Sequence, residues 1–151
     1  MEEDEYRSTY AAVNERRCVL EKALNSRTVT CSHSERFYLA DREAVGCKSD
    51  PAQRRCQELL TRMREGARFS LQMTHIGGPL PHNKEIKVQV GGLQGLQALL
   101  APEQADSSTV EDVFGLLNAA ELRFGALSAF PYQDMIKHIT RYQGRSRRGG
   151  G

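Results

Sequence analysis

Two Arg-Arg-Cys triplets enclose all the cysteines of this chain. Cys18 and Cys56 each follow two arginines, and Cys31 and Cys47 lie between them, with intervals of 12, 15 and 8 residues. If the four thiols act as a set, residues 18 to 56 must fold so that four distant positions meet. This requirement restricts the fold more than any other feature of the sequence.

Length and composition indicate one cytoplasmic domain. The chain has 151 residues, of which 39% are hydrophobic and 26% charged, and a chain of this size buries a core without covalent cross-links. No stretch approaches the roughly 20 apolar residues of a membrane span, and the acidic start lacks the features of a secretion signal. We therefore expect a reducing compartment and no membrane contact. There, cysteines are metal ligands, reactive thiols or core residues.

Helical patterns predict an all-α fold of about six helices in two small lobes. The first lobe, residues 1–76, contains three predicted helices, which run from about 5 to 24, 33 to 45 and 50 to 73. The second of these follows the capping-box spacing of Ser32 and Glu35 and ends at Gly46. The third begins at Asp50-Pro51, because Asp caps helices and Pro is tolerated in the first turn.

A Gly/Pro connector, residues 77–91, separates the lobes. Within it, "EIKVQV" alternates polar and β-branched residues, which predicts a short extended segment with Ile86, Val88 and Val90 on one side. The second lobe, residues 92–143, has a predicted short helix before Pro102, a helix that ends at Gly125 and a last helix that opens at Pro131. Residues 144–151 predict a disordered basic tail.

The cysteine spacing matches none of the tight Cys-x-x-Cys patterns of common zinc sites. On the predicted helices, Cys18 lies inside the first and Cys56 early in the third. Cys31 and Cys47 lie at opposite ends of the second helix, which is roughly 20 Å long. That length argues against one shared site.

The charge pattern argues for a shared site. Residues 16–68 contain twelve Lys or Arg and seven Asp or Glu, and Arg17, Arg55 and Lys48 directly adjoin cysteines. Cations lower thiol pKa values and stabilise anionic thiolate centres. We therefore expect Cys18, Cys31, Cys47 and Cys56 to bind an iron-sulfur cluster. Zinc, a reactive thiol pair and plain core cysteines remain alternatives.

The cysteine segment resembles a family of short bacterial proteins of uncharacterised function with four similarly placed cysteines. The resemblance rests on Arg-Arg-Cys18, Cys31-Ser32, "ADREAVGC" and Arg-Cys56, and extends from residue 15 to about 95. It implies that the cysteines act together, and it carries over no activity.

A cluster protein of this kind is expected to be an electron carrier, redox sensor or accessory factor with a protein partner rather than an enzyme. The alternative is a metal-free helical adaptor that binds a partner through an Ile86/Val88/Val90 edge and the basic tail. Scattered aromatic residues do not predict a base-stacking surface, so we do not expect nucleic-acid binding. His75 and His82 flank the Gly-Gly-Pro loop without a defined role, and the oligomeric state stays open.

Overall fold

The structure, a computed structural model, describes residues 16–39, 42–71 and 80–143. The helices and strands are, in order, α1 (Glu21–Asn25), β1 (Ser34–Leu39), β2 (Arg42–Cys47), α2 (Asp50–Ala67), α3 (His82–Ile86), α4 (Gly92–Leu100), α5 (Val113–Phe124) and α6 (Tyr132–Arg141). A π-helical turn, Lys87–Gly91, joins α3 to α4, and short 3₁₀ turns occupy Pro102–Gln104 and Leu127–Ala129.

The predicted all-α fold is wrong, because an antiparallel two-stranded sheet accompanies the helices. Several predicted features lie wholly or partly outside the described residues, among them the N-terminal part of the first helix, the end of the third helix, His75, the start of the connector and the tail 144–151.

The predicted second helix is the β1–β2 hairpin. Its register pairs Ser34 with Cys47 and Phe37 with Ala44. Phe37 and Tyr38 favour strands because their side chains pack well on a pleated surface. The expected capping box does not form, and the Ser34 hydroxyl instead donates to the Cys31 carbonyl over 2.8 Å. A short hairpin is marginally stable alone, so its packing against the helices decides this structure.

The first predicted helix, residues 5 to 24, is wrong at residues 16–20 and correct at residues 21–24. Helix begins only at Glu21, and residues 16–20 form a bridge and a turn. Arg17 pairs with Gly46 in an antiparallel bridge, which extends the hairpin by one short segment. The carboxylate of Glu21 is buried; it accepts from the Val45 N–H at 2.7 Å and from Arg17 Nη2 at 2.8 Å. The hydrogen bond from Val45 attaches the start of α1 to the hairpin, and the ion pair connects Arg17 to the same carboxylate.

The predicted extended segment at 86–90 is helical. Val88 and Val90 are fully buried in the π-helical turn. The turn lies against α6, where a Cβ on Gly91 would come within 2.8 Å of the Ile139 backbone. The alternating pattern therefore belongs to a helix in close contact with another helix, and the binding edge predicted for the adaptor does not form.

Several helix predictions are confirmed where turn residues define the ends. Helix α2 begins at Asp50, with Pro51 in its first turn and Ser49 as its cap. Helix α5 ends before Gly125, which has a φ of 95° that suits glycine. Helix α6 follows Pro131. These boundaries depend on local backbone chemistry, which sequence displays directly.

One hydrophobic core draws side chains from both predicted lobes. Leu59, Leu60 and Met63 of α2 belong to the same cluster as Leu93, Leu96 and Ile139. A parallel bridge between Val29 and Val110 adds a backbone connection across the two regions. The lobe boundaries themselves stay a prediction. Within the described ranges, no helix has the length and apolar character needed to cross a membrane.

A buried polar network joins α1, α2 and α3. The Glu85 carboxylate accepts from Arg64 Nε at 3.1 Å and Nη2 at 2.8 Å, and from Gln89 Nε2 at 2.7 Å. The Gln89 oxygen in turn accepts from the Ala23 N–H at 3.0 Å. Because Glu85 and Gln89 are buried, each depends on these partners to offset its lost hydration.

Replacing Arg64 with Ala should destabilise the protein by about 2 kcal/mol, because it leaves the buried Glu85 carboxylate without its cation. The matched control is Arg62→Ala on the same helix, whose partner Glu58 is 48% exposed; its cost should stay below about 1 kcal/mol. Urea denaturation measures both. Equal losses in the two variants would contradict the assigned importance of Glu85 burial.

Candidate functional site: a cavity lined by four cysteines

The hairpin brings Cys31 and Cys47 together. Cys47 is the last residue of β2 and pairs with Ser34, and the turn from Cys31 to Ser34 closes with a 3.2 Å backbone hydrogen bond. The Lys48 N–H also donates to the His33 carbonyl at 2.8 Å. The sequence argued against a shared site because it predicted a helix of roughly 20 Å between these cysteines. The antiparallel hairpin removes this objection, because its first and last residues lie side by side at the same end.

Cys18 is placed by the bridge between the N-terminal segment and β2. Its backbone N–H donates to the Val45 carbonyl at 2.9 Å, and the Cys47 N–H donates to the Arg16 carbonyl at 2.7 Å. These two bonds align the segment around Cys18 antiparallel to the strand that ends at Cys47. The β bridge therefore places Cys18. This residue lies before α1 and not inside the helix that the sequence had predicted for it.

Cys56 reaches the site from helix α2. The Ser49 hydroxyl caps this helix by accepting from the Ala52 N–H at 3.2 Å, and the Ser49 carbonyl accepts from the Cys47 thiol at 3.2 Å. Gln53 Nε2 donates to the Arg17 carbonyl at 2.6 Å. The first turns of α2 are thus attached to both β segments, and this attachment directs Cys56 toward the other thiols.

All four cysteines line one cavity, of about 20 Å³. Its other lining residues come from the N-terminal segment and α1 (Val19, Leu20, Leu24), the hairpin (His33, Ser34, Gly46), α2 (Ala52, Gln53, Arg55) and α5 (Val113, Phe114). Each cysteine is a free thiol of intermediate exposure. The structure therefore gathers the complete predicted cysteine set in one place.

Burial is the largest influence on the pKa values of three thiols, those of Cys18, Cys31 and Cys56. It raises the pKa of Cys18 and of Cys56 to about 12 and also raises the pKa of Cys31. Smaller increases come from neighbouring thiols: Cys31 and Cys47 act on Cys18, and Cys18 and Cys31 act on Cys56. These mutual effects confirm that the cysteines lie within electrostatic range of one another. At neutral pH, Cys18 and Cys56 are protonated.

Backbone N–H groups oppose the effect of burial. Those of His33 and Phe114 lower the pKa of Cys31, and that of Leu20 lowers the pKa of Cys18. Phe114 lies in the first turn of α5, whose cap Asp112 also accepts from the Ser32 N–H at 2.8 Å. The thiols thus have donors that would stabilise their ionised form.

The three predicted cationic neighbours have different positions. Arg55 lines the cavity and lowers the pKa of the adjacent Cys56, against the larger effects of burial, Cys18 and Cys31. Arg17 donates to Glu21 and lines a separate groove. Lys48 is exposed and lies outside the cavity lining. Among these cations, Arg55 is the one placed at the thiols.

Sequence reasoning did not find the aromatic part of the site. The rings of His33 and Phe114 stack with their centroids 3.7 Å apart, and the Arg55 guanidinium lies 5.1 Å from the Phe114 centroid. Phe114 comes from the predicted second lobe, and no spacing signal connects it with the cysteines. His82 lies elsewhere, with its Nδ1 3.0 Å from Lys22 Nζ.

The thiols do not form a compact single-ion site. Within residues 16–39, 42–71 and 80–143, no group of three or more His, Cys, Asp or Glu side chains has the spacing that holds one metal ion. The arrangement is therefore four thiols around a small cavity, without convergence on one point.

In protein prepared without metal, Cys18 and Cys56 should react slowly with iodoacetamide at pH 8, because the thiolate is the nucleophile. The fall in thiolate fraction outweighs the greater nucleophilicity of a high-pKa thiol, so we expect rates about 10- to 100-fold below those of the urea-unfolded chain. The rates should rise steadily between pH 8 and 11. Mass spectrometry of quenched samples measures each cysteine, and equal rates in folded and unfolded chains would contradict the prediction.

Comparison with models of known protein families, with curated proteins and with solved structures finds no match. The resemblance in the cysteine segment therefore receives no support from these comparisons. Any functional assignment depends on the residues of this chain.

Proposed function

We propose that this protein binds an iron-sulfur cluster through Cys18, Cys31, Cys47 and Cys56, and acts as a redox carrier, sensor or accessory factor. The observation that carries the proposal is that all four cysteines of the chain line one cavity. Four cysteine thiolates are the usual ligand set of such clusters.

The supports of the thiols favour a common ligand. The cysteines come from four separate positions: the N-terminal segment, the loop before β1, the end of β2 and helix α2. Each position has its own backbone or side-chain anchor, and the anchors connect the positions to one another. Inert core cysteines have no need of such an arrangement, since isolated buried thiols pack like small hydrophobic residues.

Several groups at the cavity favour ionised thiols, and burial acts against them. Arg55 provides a positive charge, and the N–H groups of Leu20, His33 and Phe114 act on Cys18 and Cys31. Because burial favours the protonated thiols, a bound metal centre must displace protons and replace their stabilising effect by metal–sulfur bonds. Cysteines with these donors are better prepared for that exchange than cysteines in a purely apolar core.

A cluster tolerates a wider arrangement of thiolates than a zinc ion does. Around one zinc ion, thiolate sulfurs stand roughly 3.8 Å apart, since zinc–sulfur bonds are about 2.3 Å and tetrahedral. A cluster binds each thiolate to a different iron and so accepts a wider arrangement. Among the described residues, no group of three or more His, Cys, Asp or Glu side chains is placed to hold a metal ion, so either metal centre requires the cysteine side chains to move. A cluster also exceeds the present cavity of about 20 Å³, so its binding requires the cysteine side chains to rotate outward.

We further propose that the protein works in the reducing cytoplasm with a protein partner that donates or accepts electrons. Iron-sulfur centres that carry electrons exchange them with other redox proteins. Free thiols rather than disulfides suit this compartment.

Reconstitution with ferrous iron and sulfide under anaerobic conditions tests the proposal. The wild-type protein should turn brown, with broad visible absorption and stoichiometric iron and sulfide. Cys18→Ser and Cys56→Ser should lose most of that absorption, because each removes one thiolate ligand. The matched control is Ala52→Ser, which adds a hydroxyl to the same cavity and keeps all four thiols; it should retain the colour.

Other outcomes identify the alternatives. Colourless protein that contains zinc and loses helicity with a chelator would replace the cluster by a structural zinc site. Colourless, metal-free and folded protein would refute metal binding and leave a helical adaptor with core cysteines. Circular dichroism of each variant distinguishes loss of the cluster from loss of the fold.

A further inference from the structure

A hydrogen bond between α2 and the N-terminal segment brings Cys18 and Cys56 close together. Gln53 Nε2 donates to the backbone carbonyl of Arg17, the residue before Cys18, at 2.6 Å. Cys56 lies three residues after Gln53 on α2, and side chains three residues apart share one face of a helix. The face of α2 that carries Cys56 therefore lies against the segment that carries Cys18.

The cavity and the electrostatics agree with this placement. Both cysteines line the cavity of about 20 Å³, which has room for about one water molecule, so little space separates the side chains around it. Burial has the largest effect on the pKa of Cys56, and among the other thiols Cys18 has the largest. A disulfide requires only two thiols in contact, so it does not depend on the spacing that a metal ion requires.

We propose that Cys18 and Cys56 form a reversible disulfide when the metal-free protein meets a low-molecular-weight disulfide such as glutathione disulfide. The thiolate of one cysteine attacks a sulfur of the small disulfide, forms a mixed disulfide and releases one small thiolate. The thiolate of the other cysteine then attacks the mixed disulfide and releases the second small thiolate. Two protein thiols are oxidised to one disulfide, the small disulfide is reduced to two thiols, and these take up the two protons that the cysteines lose.

A groove gives a small reagent access to one of the two cysteines. Cys18 lines this groove, of about 320 Å³, as well as the cysteine cavity. Cys56 lines the cavity and is not among the residues that line the groove. The first attack is therefore assigned to Cys18, and Cys56 resolves the mixed disulfide from the side of the cavity.

The protonated state of the two thiols affects both the equilibrium and the rate. Burial raises the pKa of Cys18 and of Cys56 to about 12, so the reduced pair gains little from thiolate formation. A stabilised thiolate favours the reduced state of a dithiol, and its absence here favours the disulfide at equilibrium. The same protonation makes the first attack slow, because the thiolate is the nucleophile.

The disulfide has two consequences for the protein. It joins the N-terminal segment to α2 and restricts the unfolded chain, so the oxidised protein should be more stable than the reduced protein. It also occupies two of the four cysteines proposed as cluster ligands, so the oxidised protein cannot use them to bind metal. Cytoplasmic disulfides are usually transient and redox-sensing, and a reversible bond at this position fits that class. This inference goes beyond the proposed function and does not require a cluster.

The test incubates the reduced, metal-free, full-length protein with glutathione disulfide and then alkylates the remaining thiols. Trypsin, which cleaves after Lys and Arg, places the four cysteines in separate peptides, 18–22, 28–36, 43–48 and 56–62. Mass spectrometry without reduction should find the first and last of these joined. The oxidised protein should unfold at a higher urea concentration than the reduced protein, and dithiothreitol should reverse both changes.

Variants establish the roles of the two cysteines. Cys56→Ser should keep glutathione bound at Cys18, because the resolving thiol is absent, and Cys18→Ser should form no disulfide at Cys56. The matched control is Ala52→Ser, which changes the same cavity and keeps all four thiols; it should form the bond as wild type does. Circular dichroism of each variant checks that the fold is retained.

The contrary outcomes are distinct. A disulfide between any other pair, bonds only between molecules, or glutathione adducts in wild type without an internal bond would overturn the inference. Folded protein that keeps four free thiols, while the urea-unfolded chain oxidises, would overturn it as well. Neither result bears on the cluster, which is reconstituted on the reduced protein. Conversely, wild-type protein that takes up no iron but forms this disulfide would refute the proposed function and support the inference.

Discussion

The pairing of Ser34 with Cys47 is the contact on which the site depends. A helix over the same residues would place Cys31 and Cys47 about 20 Å apart, whereas the antiparallel hairpin brings its two ends to one edge. The Arg17–Gly46 bridge then adds Cys18 to that edge. Three of the four thiols thus depend on β structure that covers only a small part of a mostly helical chain.

Contacts from distant parts of the chain complete this arrangement. Glu21 holds the bridging segment through Val45 and Arg17, and Asp112 connects the loop near Cys31 to the start of α5. Arg55 extends from α2 to α5 and lies beside Phe114. The cavity therefore lies where the hairpin, α1, α2 and α5 meet, and a change in any of these contacts would alter the relative positions of the thiols.

The predictions from sequence succeeded where a residue restricts its own backbone. Pro51, Gly125 and Pro131 correctly placed helix ends, because their effects are local. The predictions failed at 33–45 and 86–90, where the hydrophobic pattern fits both a helix and a strand. Val45 is buried in the core as part of the hairpin, and Val88 and Val90 are buried in a helical turn against α6. Such burial depends on partners far away in the chain, which a local pattern does not contain.

The sequence by itself determined the chemical components of the site: four cysteines, arginines beside two of them, and helices on either side with recognisable ends. Only the tertiary structure decided that the thiols share one cavity, that Arg55 rather than Arg17 or Lys48 lines it, and that Phe114 and His33 complete its lining. The physical reason is that hairpin register and burial arise from long-range contacts. Residue spacing along the chain does not predict those contacts.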